Sequence, residues 1–134
     1  MAANDQEQAI RSMLQQYEQA LNDADVDAVM ALYAEDGVFM PQNFPSSVGA
    51  TDVRKAYDGV FAAIRLTVKF AIQEVQQVAP EWAFARTNSA GTVLIHAIGE
   101  TSAEANQELF VLQRTQGAWK IARYCFSTTN PPRS

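Results

Sequence analysis

Glu108 stands in Asn106-Gln107-Glu108-Leu109-Phe110, on the strand side it shares with Phe110 and Leu112. A carboxyl on an apolar face needs a partner or a purpose, because burying a charge unpaired is costly. Arg86 stands in Trp82-Ala83-Phe84-Ala85-Arg86-Thr87-Asn88, with the parity of Trp82, Phe84 and Asn88. If the large residues of that strand face inward, Arg86 and Asn88 face inward too. Two arrangements follow. A pair with Arg86 holds Glu108 ionised, as a structural group or as a clamp for a polar ligand. Without that pair, apolar surroundings raise the carboxyl's pKa and keep it protonated, able to donate a hydrogen bond. Pairing is the favoured arrangement, since an unpaired buried arginine is costly. Tyr17 sits in a helical apolar stripe, where its hydroxyl needs a polar neighbour.

The remaining reactive residues are few. The sequence has one histidine, His96, and one cysteine, Cys125. One cysteine excludes an internal disulfide framework and Cys-cluster metal sites, and one histidine excludes His-rich ones. His96, in Leu94-Ile95-His96-Ala97-Ile98, reads as a strand-face residue. Cys125, between Tyr124 and Phe126, has no histidine beside it in sequence to activate it. Neither a Gly-rich phosphate loop nor a Ser/His/Asp signature is present. No metal and no cofactor is expected.

The charge balance points the same way. Ten Lys and Arg stand against fifteen Asp and Glu, a net charge of -5. That argues against a nucleic-acid partner, which asks for a basic surface. Eight of the fifteen acids lie in residues 1–36, against Arg11 alone. Solvated helix faces with acidic first turns account for this, and a basic partner surface is the alternative. The first residues lack the basic and apolar regions of a signal peptide. No apolar run reaches the roughly 20 residues of a membrane span. A cytoplasmic protein without a membrane partner is the expectation.

These residues must be positioned by a chain of 134, which fits one domain with an ordered core over about 5–129. Ile10, Met13, Leu14, Tyr17 and Leu21 mark one face of a first helix. Asp25 can cap a second helix, with Val26, Val29, Met30 and Tyr33 inward and Gly37 at its close. Val38-Phe39-Met40 is a short extended piece stopped by Pro41. Residues 41–50 are rich in turn formers and carry Phe44 among them. Thr51 is the expected cap of a third helix, with Val53, Ala56, Tyr57, Val60, Phe61 and Ile64 on one side. The period then falls to about two, with strands near 68–73, 82–88 and 92–98 and a polar connection over 99–105. Gln107 to Thr115 and Trp119 to Thr128 pair through a turn at 115–118. The tail from Asn130 is expected to fray. Helices first and strands later imply an α+β domain, with three helices packed on one face of a curved antiparallel sheet.

This order, with the residues at its corners, resembles the nuclear transport factor two-like (cystatin-like) superfamily. The group includes ketosteroid isomerases, SnoaL-like polyketide cyclases, scytalone dehydratase and the calcium/calmodulin-dependent kinase association domain. The segments that carry the resemblance are 17–25 (Tyr-Glu-Gln-Ala-Leu-Asn-Asp-Ala-Asp) and 31–37 (Ala-Leu-Tyr-Ala-Glu-Asp-Gly). Gly49, the segment 108–112 (Glu-Leu-Phe-Val-Leu) and the segment 117–121 (Gly-Ala-Trp-Lys-Ile) complete it. The chain is most similar to small SnoaL-like proteins of unassigned activity.

The resemblance implies a cone-shaped domain whose bent sheet leaves a hydrophobic pocket at its wide end, and a homodimer through the sheet face. Tyr17 and Glu108 match the two oxyanion donors of ketosteroid isomerases, so both are the expected catalytic residues. Met40-Pro41 stands where those isomerases carry a general-base aspartate, and neither residue accepts a proton. The expected ligand-binding residues are Tyr33, Met40, Phe44, Tyr57, Phe61, Arg86, Asn88, Asn106, Phe110, Tyr124 and Phe126. Three functions remain open. One is a cofactor-free isomerase, cyclase or dehydratase acting on a small apolar carbonyl compound. The second is a binding protein for a small hydrophobic or amphipathic molecule. The third is an oligomerisation module like the kinase association domain.

Overall fold

A computed structural model of the chain describes residues 2–130; the expected fraying beyond Asn130 lies outside them. Helix α1 (Ala2–Asn22) forms as the stripe predicts, burying Ile10, Met13, Leu14, Tyr17 and Leu21. Asp25 caps α2 (Val26–Ala31) by accepting from the Ala28 N–H at 3.1 Å. This helix is shorter than expected. The Leu32 carbonyl accepts from Ile121 N at 2.7 Å, so the final strand draws the chain into extended structure before a further turn can form. Tyr33 therefore opens strand β1 (Tyr33–Met40) instead of closing a helix.

After the loop, β2 (Ser47–Val48) folds back on β1, and Gly49 N donates to Gly37 O at 2.9 Å. Gly49 sits at φ 86°, a left-handed conformation that favours glycine, and it stands at the N-cap of α3 (Ala50–Ala63) in place of Thr51.

Four long strands follow: β3 (Ile64–Ala79), β4 (Trp82–Ile95), β5 (Glu100–Thr115) and β6 (Ala118–Thr128). The two strands expected over 82–98 are one, β4. The connection expected over 99–105 is mostly the start of β5, and His96 lies exposed in the tight turn between them. The six-stranded sheet runs β2-β1-β6-β5-β4-β3. All neighbours are antiparallel except β1 and β6, which run parallel.

The sheet bends around the helices. Register shifts interrupt the pairing of β3 with β4 and of β5 with β6, as bulges do in strongly curved sheets. At Gly91 the backbones of β4 and β3 come so close that a Cβ would lie 2.0 Å from the Thr67 carbonyl oxygen. The core between helices and sheet is apolar and aromatic, with Tyr17, Tyr57, Phe110, Ile10 and Leu14 fully buried.

Helix α1 also covers the sheet's open edge. Asn22 grips the Val68 backbone on both sides, donating to its carbonyl and accepting from its N–H, each at 2.8 Å. Glu18 accepts from Phe70 N at 2.6 Å. Edge strand β3 thus has part of its free backbone satisfied by one helix.

Candidate functional site

The concave face of the sheet, α1, α3 and the loop over 41–47 enclose a cavity of about 730 Å³. Its floor is a group of tyrosines. Tyr57 on α3 hydrogen-bonds through its hydroxyl to Tyr17 at 2.6 Å and to Tyr33 at 2.8 Å. Tyr17 packs edge-on against Tyr57, Phe70, Phe110 and Tyr124, an edge-to-face geometry that aromatic rings favour. Burial pushes all four tyrosine pKa values up. For Tyr17 the hydroxyls of Tyr57 and Tyr124 work against that rise, and the nearby Glu108 charge adds to it.

Glu108 projects from β5 into the same cavity and is buried. Its partners are hydroxyls of the neighbouring strand: Thr87 Oγ1 donates to Oε1 at 2.5 Å and Ser89 Oγ donates to Oε2 at 2.6 Å. Burial raises its pKa above the usual carboxylate range, and the Ser89 and Thr87 hydroxyls oppose the rise. Among the described residues Glu108 forms no salt bridge. A hydroxyl can turn from donor to acceptor, so the same cradle holds either the carboxylate or the acid.

The expected pair with Arg86 is not formed. Arg86 lies on the outer face of the sheet, where its Nε donates to Glu74 at 2.6 Å. Asn88 is exposed beside it, and Trp82 is likewise exposed. The inward parity of β4 belongs to Ala83, Ala85, Thr87 and Ser89. The large inward side chains come from the neighbouring strands, Phe110 and Leu112 on β5 and Phe70 on β3, and β4 between them contributes small ones. Met40 also faces outward, 43% exposed, and Phe39 takes the inward position of β1.

Of the other expected residues, Phe44, Tyr57, Asn106, Tyr124 and Phe126 line the cavity with Tyr17 and Glu108. Phe44 is 73% exposed on the mouth loop. Tyr33, Phe61 and Phe110 stand behind the wall. Tyr33 holds the Tyr57 hydroxyl, Phe61 packs near the Tyr57 ring, and Phe110 stacks on Tyr124 at 4.3 Å. Thr87, Ser89, Phe39, Val68, Phe70 and Glu104 are not among the site residues expected from sequence. All but Thr87 line the cavity, and Thr87 bonds Glu108. The alternation of Arg86 and Asn88 with Thr87 and Ser89 was the available signal, read with the opposite parity. Among the described residues, no group of three His, Cys, Asp or Glu is placed to hold a metal, and no helix is long and apolar enough to cross a membrane.

A family model described as a SnoaL-like domain matches residues 3–124. The chain belongs to that family. Among solved structures, this SnoaL-like chain is similar to a ketosteroid isomerase-like protein from Erwinia carotovora atroseptica. The two share 37% identity over 92% of this chain and 95% of the other, with a TM-score of 0.89. A nuclear transport factor 2-like superfamily protein from Salmonella enterica serovar Typhimurium shares the fold at 15% identity, covering 96% and 94% of the two chains at a TM-score of 0.84. A cystatin-like domain of unknown function from Nostoc punctiforme does so at 18% identity, covering 93% and 78% at 0.74. A search of curated proteins found no match. The α+β, nuclear transport factor two-like fold expected from the sequence is the fold observed.

Proposed function

We propose that the chain binds a small apolar carbonyl compound in its cavity and polarises the carbonyl oxygen between the Tyr17 hydroxyl and the Glu108 carboxyl. One observation carries this reading. Among the described residues Glu108 is a buried carboxyl without a salt-bridge partner, cradled by the Thr87 and Ser89 hydroxyls. Such a group is costly to keep unless it serves a ligand. Two donors beside a substrate oxygen stabilise the charge that develops there during enolisation, the step shared by isomerases and many lyases. Similarity to the ketosteroid isomerase-like protein supports the same class.

The probe 4-hydroxybiphenyl presents a phenolic oxygen on an apolar body and is followed by its fluorescence. Tyr17→Phe and Glu108→Gln should each weaken its binding about tenfold, the worth of one buried hydrogen bond. Unchanged affinity in both variants would sink the proposal.

A second reading, binding without turnover, is favoured by Met40, which faces outward where the isomerases carry a base. Exchange of the α-protons of 2-tetralone in deuterated buffer separates the two. Exchange above the buffer rate that falls in Tyr17→Phe supports an enzyme, and exchange at the buffer rate supports a carrier. We further propose a homodimer through the outer sheet face, where Trp82 and Leu109 are exposed.

A further inference from the structure

Strand β5 brings a second polar group to the cavity wall. Glu104 and Asn106 line it four and two residues before Glu108, so all three share the concave face. Glu104 is half-buried and forms no salt bridge among the described residues. Its neighbour across the pairing with β4 is Gly91, which presents no side chain. On the other side β6 ends at Thr128, the partner of Asn106, so no β6 side chain flanks Glu104. The carboxyl is therefore placed at the open end of the cavity without a protein cation beside it on the sheet. Burial raises its pKa, with the Ala105 backbone and the Asn106 side chain opposing the rise. Lys55 reaches the same cavity from α3 but is exposed, so solvent and salt screen its charge.

Four residues of strand separate Glu104 from Glu108, roughly 13 Å at about 3.3 Å per residue. Between the two ends Asn106 and Ser89 sit on the strands, and the facing wall is apolar, with Val68, Phe70, Tyr124 and Phe126 on it. We propose that Glu104, helped by Asn106, is the outer pole of the ligand site and selects for an elongated apolar ligand. That ligand bears a protonated amine at the end opposite its carbonyl or phenolic oxygen. This rests on the reading that the oxygen lies at Tyr17 and Glu108.

The test uses a matched pair of probes, 4-hydroxybiphenyl and its 4′-aminomethyl analogue. The wild type should bind the amine about fivefold more tightly, as a partly exposed ion pair allows. Glu104→Gln should bring the ratio of the two affinities to one. Glu104→Lys should invert the preference and favour the 4′-carboxylate over the amine. Tyr17→Phe should weaken both probes alike and leave their ratio unchanged, so the deep pole is read from absolute affinity and the outer pole from the ratio. A wild-type ratio of one, or a ratio unmoved in both Glu104 variants, overturns the inference while leaving the deep pole standing. Failure of both probes to bind overturns both.

Discussion

Glu108 leans on two hydroxyls instead of a cation, and that choice sets how the protein responds to pH. Burial raises its pKa in the folded chain above the ordinary carboxylate value of the unfolded chain. The folded state therefore holds the proton at pH values where the unfolded chain has released it. Stability is fully present below the unfolded value and declines as pH rises through the folded one. Glu104 shifts in the same direction. Glu108→Gln replaces the acid with a neutral group of the same shape, so it should flatten this decline. Urea midpoints of the two proteins between pH 4 and pH 8 should diverge, with wild type losing ground as the pH rises. Parallel curves would mean that Thr87 and Ser89 offset the burial completely. At this scale the sequence made Glu108 legible through its apolar neighbours, and misplaced its partner. The large residues of β4 are expected inward, whereas on this strand the concave face carries the small ones, Ala83, Ala85, Thr87 and Ser89. Arg86 then finds its acid on β3, across the strand pair, where Glu74 is its register partner.

Among the elements, α1 does more than bury a stripe. Its last turn ends in Asn22, whose amide completes the ladder of edge strand β3 at Val68. Glu18 does the same at Phe70, a residue on the cavity wall. Position and hydrogen bonding of the wall therefore depend on a polar side of α1 that the apolar periodicity does not describe. Asn22→Ala should cost about 1–3 kcal/mol, since it leaves the partly buried N–H and C=O of Val68 without partners. Denaturant unfolding gives the cost, and amide exchange at Val68 and Phe70 should quicken relative to the centre of β5. Exchange that quickens uniformly across the sheet would deny Asn22 a local role. Helices α1 and α3 were legible because their 3.6-residue period is long and uninterrupted. The fate of Tyr33 was not, because the strand that captures it, β6, lies almost ninety residues on in sequence. The division of β4 was misjudged for a related reason. The gap expected between 88 and 92 contains Gly91, which lets two backbones approach within one continuous strand.

For the whole molecule, curvature separates two surfaces with different tasks. The concave side holds the aromatic core and cavity, and the outer side carries residues the core cannot take. Those outward positions are not uniformly polar. Phe84 pairs with Val111 and Arg86 with Leu109, and Leu109 pairs in turn with Cys125, so apolar side chains form a patch across three strands. Trp82 is 41% exposed at its end and Leu109 is 42% exposed within it. An apolar patch of this kind on a sheet face is what the homodimer proposed above would bury, with Arg86 and Arg123 as polar positions within it. The acidic first helices lie on the other side of the sheet and leave this face free of their repulsion. Sedimentation at micromolar protein should therefore give a dimer. Leu109→Glu should give a monomer, because two-fold pairing places the new charge twice in one interface. The substituted side chain faces solvent in the single chain, so unfolding of the monomer should stay close to that of the wild type at low concentration. A Leu109→Glu protein that still sediments as a dimer would move the interface off this face.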